Sequence, residues 1–213
     1  MKDYLFQRRM LGILCALLAP SCLIFGLFGR GTNLPFWYGS ISATYYANDK
    51  ILMIGLLFAT AVFFFSYAGY TWIDRLLSII QGAAALGVIS FPCSTEGAPE
   101  ITGLFGLSLQ TSNIIHMIAA TTLFLAFGTN ILFLFTKSSG TMTDEKKRRN
   151  FIYRICGITI FIFMIIQLCT STFLKGYFGN FPTTLFNEFV MLEAFSTAWL
   201  IKGEAVTKLN DKE

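Results

Sequence analysis

A polytopic, all-α bundle of six transmembrane helices, with both termini in the cytoplasm, is the architecture this sequence predicts. Three features lead there: the poverty of charge, the length of the apolar runs, and the uneven placement of Lys and Arg. Of 213 residues, 54% are hydrophobic and 13% charged, about half the charged share of an ordinary soluble domain. Phe alone appears 23 times. The formal charge of +4 is carried in segments between apolar runs, so topology accounts for it and no nucleic-acid partner is expected.

A spanning helix needs about 20 mostly apolar residues, because the hydrocarbon core is about 30 Å thick and a helix rises 1.5 Å per residue. Six runs qualify: 10–28, 51–71, 76–92, 113–135, 151–172 and 185–201. Together they make one transmembrane domain, 1–213. Strands are not expected, because barrel strands alternate apolar and polar residues and "LMIGLLFATAVFFF" is apolar almost throughout. The first run has a basic start at Lys2, Arg8 and Arg9 but is long for a signal core and lacks an A-x-A site, so it reads as an uncleaved helix.

Orientation follows from Lys and Arg. With the N-terminus cytoplasmic, thirteen of the 16 basic residues fall on the cytoplasmic side, and Arg30, Lys50 and Lys175 fall on the other. That asymmetry is the positive-inside pattern and predicts a multi-pass membrane protein with both termini cytoplasmic. "KSSGTMTDEKKRRN" reads as a solvated cytoplasmic linker that also meets anionic lipid heads, "WIDR" as a tight inner connection, and 94–112 as a segment along the outer surface. Helices 1–3 and 4–6 show no matching repeat. The five cysteines, Cys15, Cys22, Cys93, Cys156 and Cys169, form no C-x-x-C pair or zinc spacing. They are expected as free thiols, with Cys93 and Cys169 the one pair worth testing. No metal or cofactor is expected.

Ionisable groups inside a membrane mark function by default, since burying them is costly unless they are paired or hydrated. His116, the single histidine, falls about one turn below the outer end of the fourth run, with Ser112 and Asn113 on the same helical face. Glu188 opens the sixth run at similar depth, and Asp49 stands at the outer entrance to the second. The catalytic candidates are therefore His116 as general base or proton carrier, Asp49 or Glu188 as its tuning carboxylate, and Ser42 as nucleophile. Ser40, Tyr45, Tyr46, Ser112, Asn113 and Glu193 are the ligand-binding candidates. The competing structural reading makes His116 a tie between helices, and Asp49, Ser112 or Asn113 helix N-caps. Glu193 lies mid-helix, about 140° around from Glu188, with Gln81, Ser66 and Asn130 available to bond it from other helices.

The segment "PFWYGSISATYYANDK" joins Trp37, Tyr38, Tyr45 and Tyr46, rings suited to headgroup depth, with Ser40, Ser42 and Thr44, which would face a pocket or cap the second helix. Ile41, Ser42 and Thr44 resemble part of the I-S-D-T-G motif in the first outer loop of FRAG/DRAM/Sfk-type proteins, with Ala43 replacing the Asp and Tyr45 the Gly. Over nearly its full length the chain is similar to a family of small, uncharacterised bacterial six-helix membrane proteins, through "SISATYY", "SYAGY", "GVISFPCS", "IIH", "RRNFIYRICG" and "WLIKG". That resemblance implies the fold and a place in a bacterial inner membrane, and brings no activity. A looser likeness to the CREST group, which holds alkaline ceramidases and hemolysin-III-like proteins, stops short of their zinc site, since that needs three His. The function expected is a polar pocket at the outer end of the bundle that acts on or binds a lipid or other amphiphile. The alternatives are a small-molecule or proton-coupled transporter or sensor, and a non-catalytic accessory protein that packs against partners through small-residue faces such as "GAAALG". Beyond the bilayer and such a ligand, an oligomer is compatible with the sequence.

Overall fold

The computed structural model describes residues 2–28, 39–47, 50–138, 140–174 and 176–210. Among them run six α-helices: α1 (Lys2–Phe28), α2 (Lys50–Ser66), α3 (Trp72–Ser90), α4 (Leu109–Thr129), α5 (Asp144–Thr172) and α6 (Thr183–Lys202). The described residues are all-helical apart from connecting turns and a minimal hairpin of β1 (Ile101–Thr102) and β2 (Leu107–Ser108). Four helices, α1, α3, α4 and α5, are long and apolar enough to cross a membrane. At 17 residues α2 is shorter, and the 20 residues of α6 include Glu188, Glu193 and Lys202.

The helix ends differ from the apolar runs wherever polar chemistry extends or stops a helix. α1 reaches back to Lys2 and α5 to Asp144, so half of the expected cytoplasmic linker is helical. Thr143 caps α5 by accepting the Lys146 N–H at 3.1 Å, and Asp144 and Glu145 favour the positive end of its dipole. α2 stops at Ser66 instead of continuing to residue 71. Thr71 instead opens α3 with a capping box: its hydroxyl accepts the Asp74 N–H, and the Asp74 carboxylate accepts the Thr71 N–H at 2.8 Å. "WIDR" is therefore the first turn of α3, and 67–71 is the connection. The N-cap of α4 is Ser108, not Ser112 or Asn113. Past Thr129 the ladder loosens into a π-turn, Asn130–Leu134, with the Phe135 N–H reaching Asn130 O at 3.0 Å. The hairpin was not expected from the apolar pattern. It forms because Gly103 and Gly106 adopt positive φ, and a Cβ on Gly103 would lie 2.7 Å from the Ser90 carbonyl.

Successive helices alternate in direction. Arg8, Tyr67, Phe135, Lys146 and Lys202 gather at one end of the bundle; Ile41, Cys93, Asn113 and Glu188 gather at the other. The first and last helices close the bundle: α1 packs most extensively on α6, where a Cβ on Gly12 would lie 2.7 Å from Leu200 Cγ. The core is aromatic at its centre. Phe127 stacks on Phe195 with centroids 3.7 Å apart, and Phe64, Phe135 and Tyr67 meet Phe195 or Trp199 edge-on. The outside is as apolar as the inside, with Phe58 and Val62 on α2, Ile118 on α4, and Ile162 and Ile165 on α5 all exposed. A helix apolar on every face suits a hydrocarbon surround.

Candidate functional site

The site is a half-open cavity of about 880 Å³ at the end of the bundle opposite the termini. Ser40, Ser42, Asn113, His116 and Glu188 line its polar part; Ala120, Phe124, Phe161, Met164 and Leu168 line its apolar part. Each polar wall residue also does local structural work.

On α4, the Ser112, Asn113 and His116 side chains all grip the chain as it leaves α3. Ser112 Oγ donates to Pro92 O at 2.8 Å, Asn113 Oδ1 accepts the Ser94 N–H at 2.8 Å, and His116 Nδ1 lies 2.8 Å from Phe91 O and 3.2 Å from Val88 O. The reason is local: α3 ends where Pro92 cannot continue it, and its last carbonyls need donors. Two carbonyl neighbours place a proton on Nδ1, which leaves Nε2 as the nitrogen able to exchange one. Ser112 is fully buried and does not line the cavity, whereas Asn113 and His116 do.

On α6, Glu188 holds the segment that precedes α2. Its carboxylate accepts the Ile41 N–H at 2.6 Å and the Ser42 hydroxyl at 3.3 Å, and one turn earlier the Leu185 N–H bonds Gly39 O at 3.1 Å. The held segment, Ser42–Tyr46, is a 3-10 turn, and just ahead of it Ser40 Oγ accepts the Ala43 N–H at 2.9 Å. Thr44 is buried and donates to Ile41 O, so its hydroxyl is spent within its own turn and does not cap α2. Tyr46 donates to Cys93 O at 3.0 Å and sits 3.3 Å from Thr102 Oγ1, with Tyr45 edge-on against it. Burial raises the Tyr46 phenol above its usual range. Tyr45 and Tyr46 do not line the cavity; they pin the segment from behind.

Among the described residues, His116 and Glu188 share the cavity without a direct hydrogen bond, and the space between its walls has room for water. Asp49, Trp37 and Tyr38 lie outside the described residues. Glu193 is not a lining residue, and its Oε1 has no partner among the described residues. Of the side chains expected to meet it, Gln81 donates to Ala126 O at 3.1 Å and Ser66 to Val62 O at 2.9 Å, while Asn130 Oδ1 is itself buried without a partner among the described residues. Cys93 is free and buried at the wall, and Cys169 is free too.

One contributor escaped the sequence reading. Gln167 on α5 donates to Thr184 Oγ1 at 3.0 Å and accepts from Asn187 Nδ2 at 2.8 Å, which clasps α5 to α6 beside the cavity. The signal was present, since Gln167 is a lone amide in an apolar run, like Gln81. No group of His, Cys, Asp and Glu suited to a metal ion occurs among the described residues. No protein-family model matches the chain, and neither curated proteins nor solved structures offer a match.

Proposed function

We propose that this chain is a six-span membrane protein with cytoplasmic termini whose outer cavity binds an amphiphile, a lipid or lipid-like molecule. The cavity carries the reading: its walls pass from Phe161, Met164 and Phe124 to Asn113, His116, Ser42 and Glu188, the sequence of surfaces an acyl chain followed by a polar headgroup would meet. About 880 Å³ falls within the roughly 300–1,000 Å³ range of small-molecule sites. Crossing by all six helices is supported by their alternation and apolar outer faces, and the cytoplasmic end by its share of Lys and Arg. The Ser42 hydroxyl is directed to Glu188 and not to His116, which favours binding over nucleophilic catalysis. Transport through Glu193, Gln81 and Asn130 has less support, because Gln81 ties α3 to α4 and none of the three lines the cavity.

The test is lipid extraction from protein purified in maltoside, read by mass spectrometry. The expected result is a co-purifying amphiphile that is lost in Ala120→Trp, which fills the apolar part, while the melting temperature stays close to that of the parent. An unoccupied parent protein, or equal retention in Ala120→Trp, overturns the reading.

A further inference from the structure

The opposite end of the bundle holds a second concentration of chemistry. Arg8 is only 4% exposed. Its Nε donates to the Tyr67 hydroxyl at 3.2 Å, its guanidinium lies 4.8 Å from the centre of the Tyr70 ring, and its Nη2 is buried with no partner among the described residues. Lys202, closing α6, sits 5.5 Å from the same Tyr70 ring and 5.1 Å from the Phe135 ring. Lys146, in the first turn of α5, donates to Phe135 O at 3.0 Å and lies 5.9 Å from the Tyr153 ring. Arg149 donates to Leu209 O at 2.5 Å one turn on.

Arg8 of α1 and Lys202 of α6 share the Tyr70 ring, and the Asp74 carboxylate lies on the same side of the bundle. Asp74 is committed to Thr71, accepting its N–H at 2.8 Å and its hydroxyl at 2.7 Å. Two cations on one ring repel, more strongly where water is scarce. Aromatic faces offset part of that, but they leave the buried Arg8 Nη2 donor unused. An oxyanion with several acceptors would take up both the excess charge and the idle donor, and Arg and Lys together suit a phosphoryl group.

We propose that Arg8 and Lys202, with Lys146 and Arg149 at its rim, form a binding site for one phosphoryl group at the end of the bundle that carries both termini. The apolar helix faces beside it make a phospholipid headgroup one source and free phosphate the other; basic recesses between helices at a cytoplasmic membrane face suit the first. The site is independent of the outer cavity and stands or falls separately.

The experiment uses the full chain in maltoside micelles and follows melting temperature in two arms. One compares sodium phosphate with sodium chloride at equal ionic strength; the other compares phosphatidylglycerol with diacylglycerol, the same lipid core without phosphate. The expected result is stabilisation by phosphatidylglycerol and not diacylglycerol, with affinity reduced about tenfold or more in Lys202→Met. Stabilisation by inorganic phosphate with the same dependence on Lys202 also supports the site and assigns it to a free anion. Arg8→Met adds a second reading if it folds, and Lys202→Met decides the matter if it does not. Equal effects of the paired ligands in both arms, or a folded Lys202→Met that responds like the parent, overturns the proposal.

Discussion

The Glu188 carboxylate accepts the backbone N–H of Ile41 at 2.6 Å across 147 positions of sequence. One side chain on the last helix thereby fixes where the segment before the second helix begins its 3-10 turn. Glu188→Ala leaves the Ile41 N–H and the Ser42 hydroxyl without that acceptor, at an expected cost of about 1–3 kcal/mol. Glu188→Gln keeps one carbonyl oxygen and should fall between the two. Unfolding in detergent measures both, and an alanine variant as stable as the parent would show that the tie contributes nothing.

His116 separates its two roles by ring nitrogen. His116→Asn puts a donor near the Nδ1 position and can keep the bonds to Phe91 O and Val88 O, while withdrawing the Nε2 end from the cavity. His116→Gln reaches towards the Nε2 position and gives up those bonds. The expected outcome is near-parental melting with weakened ligand retention for the Asn variant, and a loss of about 1–3 kcal/mol for the Gln variant. The reverse order would remove the carbonyl bonds from the account.

Burial pushes the Cys93 thiol up to about 12. A raised thiol pKa means fewer thiolates at a given pH, and at pH 8 the reactive fraction is roughly one in ten thousand. Native protein should therefore resist maleimide at Cys93 and react there once denatured. Reductant should leave electrophoretic mobility unchanged, because Cys93 and Cys169 are both free. Rapid native labelling would contradict the burial.

Two glycine substitutions give opposite signs. Gly12→Ala forces a Cβ to within 2.7 Å of Leu200 Cγ and 2.9 Å of the Leu200 backbone nitrogen, and overpacking of that kind costs about 1–3 kcal/mol. Gly55→Ala, in α2, meets nothing within 4 Å and should stabilise by about 0.5–1 kcal/mol, the helix-interior penalty of glycine. Melting temperatures of the two variants decide it.

Topology is testable with Ser94→Cys and Ser138→Cys in a cysteine-free background. Both positions are exposed, at opposite ends of the bundle. An impermeant thiol reagent added outside spheroplasts should label the first, and should label the second only after the membrane is opened. Labelling in the reverse sense would invert the orientation.

The apolar runs announced the helices because hydrophobicity is a local property, summed over one stretch of chain. Their ends were less legible because they depend on partners elsewhere. The Arg8 guanidinium stays inside α1 because Tyr67 and Tyr70 supply a hydroxyl and a ring, and nothing near Arg8 in sequence says so. Candidate polar residues could be picked out, since lipid makes each one conspicuous. Their targets could not: Ser112, Asn113 and His116 address backbone atoms at residues 88–94, and backbone groups look alike in every sequence. Gln167 was visible by the same rule as Gln81, but its bonds to Thr184 and Asn187 exist only once α5 and α6 turn back on each other.

The close seam between α1 and α6 has a consequence for biogenesis. Ser196 of α6 donates to Gly12 O of α1 at 3.0 Å, and Arg9 of α1 donates to Gly203 O at 2.6 Å, so α1 is completed by a helix made more than 150 residues later. During translation α1 must wait for nearly the whole chain before its principal neighbour emerges. Until then its glycine groove faces lipid, an insertion factor or another nascent copy, and a chain cut short before residue 183 would never close the ring.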